Sequence, residues 1–197
     1  IGIDAMKTGM LGSADLVELV AKSIDRYNLK NVVIDPVMVC KGIDAIMVPD
    51  AAAAIKKYLV KRADVITPNT IEAAYLADMP KVNSLEEIKE AAGRIKELGA
   101  KCVVIKGGER MERDEAIDTF YDGKEFREMS AKKIYPSYNH GAGCTYSAAV
   151  TAGLANGLSV EDAVVQAKAF ITEALRHSFK LNEFSGCTDH SAYKKSL

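Results

Sequence analysis

The chain has 197 residues, 48% of them hydrophobic and 27% charged, proportions that exclude a disordered, collagenous or coiled-coil protein. With 26 basic and 27 acidic residues the net charge is −1, so no electrostatic excess is available for nucleic acid or an anionic membrane, and a charged ligand must be held by a local site. No apolar run approaches the roughly 20 residues that span a bilayer, and the opening Ile1-Gly2-Ile3-Asp4-Ala5-Met6-Lys7 lacks the pattern of a signal peptide.

At roughly 150 residues per domain, the length favours a single domain over residues 1–197. The four cysteines, Cys40, Cys102, Cys144 and Cys187, include no CxxC pair, which excludes a zinc ribbon or a thioredoxin-like motif. Free thiols in a reducing cytoplasm are the expectation.

In chain order, Ile1–Lys7 reads as a strand that opens the chain partway into a fold. Leu16, Leu19, Val20 and Ile24 recur at helical spacing over 14–28, with Ser13 as N-cap. The β-branched run over 31–39 reads as a buried strand that meets Pro36. Residues 50–60 form an Ala-rich helix capped by Asp50, and 64–68 a short strand stopped by Pro68. A helix follows over 70–77. Ser84 with Glu87 has capping-box spacing for the next helix, which Gly99 ends. Residues 101–105 form another buried strand.

This alternation predicts a parallel sheet with helices on both faces. It breaks over 116–135, where Asp122-Gly123 marks a hairpin with a two-residue turn. Helices follow from about Gly143 to Asn156 and from Ser159 to about Ser178, and the tail after Leu181 reads as polar and irregular.

Four segments carry chemistry. In Asn139-His140-Gly141-Ala142-Gly143-Cys144-Thr145, small residues precede a helix, so backbone N–H groups and the helix dipole can receive a phosphate without a lysine cluster. Cys144, at the helix start, is a candidate base or nucleophile. The competing reading is a glycine loop that serves close packing. In Thr67-Pro68-Asn69-Thr70-Ile71-Glu72, Asn69 and Glu72 share one face at a strand end, suited to a water-rich Mg²⁺ site or to an ordinary helix cap. Asp35-Pro36-Val37-Met38-Val39-Cys40-Lys41-Gly42 leaves another strand end, with Asp35 as a carboxylate there. Lys106-Gly107-Gly108 ends a fourth strand, where Lys106 meets a phosphate or solvent. All four fall on what should be one edge of one sheet, where open α/β sheets bind ligands.

Taken together, HGAGCT, DPVMVCKG, TPNTIEA, VVIKGG and the opening DAMKTGML resemble the ribokinase-like hydroxymethylpyrimidine kinase family, which includes closely related bacterial pyridoxal kinases. The resemblance runs the length of the chain. It implies a three-layer α/β/α fold with a mostly parallel sheet, ATP as phosphate donor, Mg²⁺ and a homodimer. It makes Cys144 the base, with Gly141, Ala142, Gly143 and Cys144 as an anion hole and His140 assisting beside it. Asn69 and Glu72 match a motif that organises Mg²⁺ and phosphate, and Asp35 an acidic position that acts indirectly on Mg²⁺. Lys106, Gly108 and Asn69 match nucleotide contacts, and Met10 and Val37 line the substrate ring.

Cys40 stands where plain hydroxymethylpyrimidine kinases usually carry alanine. Paired with Cys144 it resembles the two-cysteine pyridoxal kinases, in which the loop cysteine adds to the pyridoxal aldehyde. The resemblance therefore favours pyridoxal over a hydroxymethylpyrimidine. It also implies an earlier strand and a glycine loop ahead of residue 1 in the family pattern. Two other classes compete: a thiol hydrolase using Cys144 with His140, and a nucleotide-binding relative without catalysis.

Overall fold

The computed structural model describes residues 2–39, 45–108, 114–135 and 138–195, without the side chain of Lys195. Its frame is a six-stranded sheet in sequential order: β1 (Met6–Thr8), β2 (Val32–Ile34), β3 (Val65–Ile66), β4 (Cys102–Lys106), β5 (Glu115–Tyr121) and β6 (Phe126–Lys132). The first four strands run parallel, and β4-β5-β6 pair antiparallel. Short strands suffice because both faces are covered. Val32, Ile34, Ile66, Val103 and Ile105 face one core, and their alternates Val33, Val65 and Val104 face the other.

The first core lies under α1 (Ala14–Arg26), α2 (Pro49–Ala54), α3 (Thr70–Leu76) and α4 (Leu85–Glu97). The second lies under α5 (Ala142–Ala155) and α6 (Val160–Arg176). This is the expected three-layer α/β/α arrangement with a mostly parallel sheet. Among the described residues, no helix is long and apolar enough to cross a membrane.

Ser13 caps α1 through Leu16 N–H, and Ser84 with Glu87 completes the capping box of α4. Other local expectations are corrected. The second strand is three residues rather than nine, because Pro36 offers no N–H and Val37 N–H turns back to Asp35 O at 2.9 Å. The α2 N-cap is Val48 rather than Asp50, because Pro49 takes the first helical position, where its missing N–H costs nothing. That helix continues as a π segment over Ile55–Leu59 and a 3₁₀ turn over Val60–Arg62.

The hairpin connection is four residues rather than two. Asp122 Oδ1 accepts from Lys124 and Glu125 N–H, and the Tyr121 and Phe126 rings stack across the strand ends. The tail is not irregular: β7 (Phe179–Lys180) pairs antiparallel with β8 (Gly186–Cys187), and a short α7 (Ala192–Lys195) follows.

Candidate active site

The carboxyl ends of β2, β3 and β4 open toward the N-terminus of α5, and the four sequence segments meet there. Each β-strand contributes the residue that follows its last apolar position. After β2 comes Asp35, 2% exposed. Its Oδ1 accepts from Lys106 Nζ at 3.0 Å and from Thr67 Oγ1 at 3.3 Å, and its Oδ2 accepts from Ser147 Oγ at 2.9 Å. Those donors come from β4, the exit of β3 and α5, so one carboxylate ties three elements together. A charge this buried is retained only with such a set of partners.

Lys106 is not a solvated surface lysine; its side chain is 14% exposed. Burial works against its charge, but Asp35, Glu72 and Asp118 together outweigh it and hold the ammonium above the usual lysine range. A Cβ placed on Gly143 would sit 3.4 Å from Lys106 Nζ. The ammonium therefore lies directly beneath the first turn of α5, and glycine at 143 leaves it uncovered.

Asn69 and Glu72 act first as a capping box for α3. Asn69 Oδ1 accepts from Ile71 and Glu72 N–H, and Glu72 Oε2 accepts from Asn69 N–H at 2.8 Å. Glu72 Oε1 also reaches Met38 N–H at 3.2 Å, which braces the exit of β2. Burial pushes the Glu72 carboxyl above its usual range and the charge of Asp35 adds to this, against the pull of Lys106 and the two N–H donors. Among the described residues, no three His, Cys, Asp or Glu side chains group to hold a metal ion directly. Asp35 pairs with the Lys106 ammonium, and Glu72 lies in the field of the same ammonium with its two oxygens on backbone N–H groups. That donor set fits a divalent cation held through its own waters rather than a stripped ion.

The glycine loop is narrower than the sequence implied. Gly141, at φ 81°, is the N-cap of α5, a left-handed position that glycine takes without strain. Ala142 N–H is already used, donating to Asn139 O at 3.1 Å. Among the described residues, no acceptor faces the N–H groups of Gly143 and Cys144, which head the helix. Cys144 is exposed beside them.

His140 is also exposed, and its backbone N–H is anchored on Gly186 O at 3.3 Å. It forms a bridge with Cys187, which gives that cysteine a structural place. His190 is exposed, and its Nε2 lies 3.0 Å from Thr145 Oγ1 in the first turn of α5. His177 is exposed, 3.9 Å from Glu173. The irregular composition of the tail hid these contacts, which depend on chain return rather than on local pattern.

Met10 and Val37 line one apolar recess of about 80 Å³ with Leu11, Met38, Met47 and Ile55. Met10 is 57% exposed at its rim. Gly108 follows β4 at φ 51°. Cys40, Lys41 and Gly42 lie outside the described residues.

A mostly parallel sheet with a buried lysine, an exposed cysteine and a helix N-terminus gathered at its carboxyl edge is the arrangement of a ribokinase-like phosphotransferase acting on an alcohol group. The sequence profile of the phosphomethylpyrimidine kinase family matches residues 1–189, and the chain belongs to that family. It is 49% identical over 194 residues to a pyridoxine kinase of Bacillus subtilis, covering 98% of this chain and 72% of the relative. The ADP complex of Bacillus subtilis pyridoxal kinase superposes with TM-score 0.94 at 49% identity, over 98% of this chain and 73% of that one. Staphylococcus aureus pyridoxal kinase with AMP-PCP and pyridoxal gives TM-score 0.92 at 43% identity, over 98% and 70%.

Proposed function

We propose that the protein transfers the γ-phosphoryl group of ATP to the hydroxymethyl group of pyridoxal. The observation that carries this reading is the placement of Lys106 under Gly143, with two helix N–H groups beside it that have no acceptor among the described residues. The relatives with ADP, AMP-PCP and pyridoxal in their structures support the choice of substrates.

In this mechanism the hydroxymethyl oxygen lies beside Cys144. As it attacks the γ-phosphorus, the bond to the ADP oxygen breaks and the thiolate takes the hydroxyl proton. Charge developing on the transferred group is met by the N–H groups of Gly143 and Cys144 and by the Lys106 ammonium. Phosphoryl transfer needs positioning and charge stabilisation above all, and these groups are fixed before substrate arrives. Asp35 holds Lys106 in place, and Glu72 holds the exit of β2. Mg²⁺, held through water near Asp35 and Glu72, would neutralise phosphate charge. Met10 and Val37 flank the ring, with Asn69 and Gly108 on the nucleotide side.

A second reading, phosphorylation of a hydroxymethylpyrimidine, is favoured by the family profile itself. Cys40 separates the two, since its thiol can add reversibly to an aldehyde that the pyrimidine lacks. A panel of pyridoxal, pyridoxine and hydroxymethylpyrimidine with ATP and Mg²⁺ is the test. Pyridoxal turnover exceeding that of the pyrimidine supports the proposal, and the reverse order overturns it. Cys40→Ala should impair pyridoxal far more than pyridoxine; equal losses would remove the aldehyde adduct. The homodimer and the cytoplasmic setting belong to the same reading, and light scattering tests the former.

A further inference from the structure

The fold buries a second ion pair that the proposed reaction does not use. Lys168, midway along α6, is 9% exposed and donates to Asp118 Oδ2 at 2.9 Å and to Ala116 O at 2.8 Å. Asp118, in β5, is 5% exposed, and its Oδ1 accepts from Gly107 N–H at 3.2 Å. A buried ion pair is often no more stabilising than apolar side chains of similar volume. Holding α6 on β5 therefore does not by itself account for this one.

The pair reaches the end of β4. In the β4–β5 register Lys106 lies opposite Asp118, on the same sheet face as Val104 and Phe120. Asp118 thus stands between two lysines, and its charge contributes to the field at Lys106. Lys168 neutralises it, while Lys106 pairs with Asp35 at 3.0 Å. Gly107 N–H also donates to Ile117 O at 3.0 Å, so Asp118 supplies the second arm of a fork that fixes this peptide. Gly108 follows it in a left-handed conformation.

We propose that Lys168 is a positioning residue for the nucleotide. By neutralising Asp118 it keeps that carboxylate on Gly107 N–H and leaves Lys106 with Asp35, and so sets the Lys106-Gly107-Gly108 strand end for the phosphates of ATP. The inference rests on the reading of that strand end as nucleotide-binding.

Lys168→Met strands the Asp118 charge. It should raise KM for ATP on the order of tenfold, as a small misplacement of binding groups does, while kcat stays within about twofold. Lys168→Met combined with Asp118→Asn removes both charges but keeps an acceptor for Gly107, and KM should recover. Lys168→Met combined with Asp118→Leu lacks the acceptor, and KM should stay raised. Melting temperatures recorded in parallel expose a purely structural role. A lowered melting temperature with unchanged KM for ATP overturns the proposal. If Lys168→Met does not fold, the two double variants decide, and equal KM values in them overturn it. Lys106→Ala separates the two levels. If it leaves KM for ATP unchanged, the nucleotide reading of the strand end fails; if it raises KM where Lys168→Met does not, only the present inference falls.

Discussion

Lys106→Met removes the ammonium and keeps most of the side-chain volume, so its effect isolates the charge. It leaves Asp35, 2% exposed, with two hydroxyl donors, Ser147 and Thr67, and with Glu72 nearby. Removing one partner of a buried pair costs about 3–5 kcal/mol. The lysine side chain is 14% exposed, and the two hydroxyls still serve the carboxylate, which places the loss at the lower end, about 3 kcal/mol. For a chain of this length each kcal/mol moves Tm by about 2–4 °C, so the melting temperature should fall by about 6–12 °C. Asp35→Asn in the same chain removes the stranded charge and should return part of that loss. Thermal unfolding followed by circular dichroism reads both variants. A single variant melting within about 2 °C of the parent would show that Asp35 does not depend on Lys106, and the buried pair would lose its place in the account.

Cys144→Ala should lower kcat by roughly 10²–10⁴-fold, the usual contribution of a positioned general base, with KM for ATP little changed; full turnover in steady-state assays would remove the thiol from the mechanism. Gly186→Ala puts a Cβ 2.5 Å from Tyr138 Cδ1 and 2.6 Å from Phe179 O. Prising β8 from these neighbours should cost about 1–3 kcal/mol in a denaturant melt and reduce turnover, because Gly186 O anchors His140. Burial pushes the Cys102 thiol up, whereas Cys144 is exposed. Alkylation at neutral pH, mapped by mass spectrometry, should therefore modify Cys144 well before Cys102, and the reverse order would contradict the burial pattern. Tyr146 OH is buried with no partner among the described residues, so Tyr146→Phe should leave Tm unchanged or raised, and a clear fall would reveal a bound water.

The parts of the fold legible in the sequence are those in which neighbouring residues satisfy one another. Ser13, Ser84 and Glu87 cap helices within their own turns, and the β-branched runs of β2 and β4 announce buried strands. The common edge of the four segments was also legible, because strand–helix alternation fixes which strand ends point the same way. What stayed hidden depends on distant chain returning. Asn69 and Glu72 are spaced as for a metal or a cap, and only the fold shows their oxygens on backbone N–H groups. Lys106 shows no sign of burial until Asp35, 71 positions away, comes to it. The contact of His190 with Thr145 and the use of Ala142 N–H by Asn139 are likewise invisible to spacing.

The central claim is that the first turn of α5 receives the phosphoryl group. Amide ¹⁵N–¹H shifts during titration with AMP-PCP and Mg²⁺ test it directly. Gly143 and Cys144 should move among the largest in the spectrum, with Ala142, already bonded to Asn139, moving less. Unmoved Gly143 and Cys144 resonances in a nucleotide-saturated protein would contradict it.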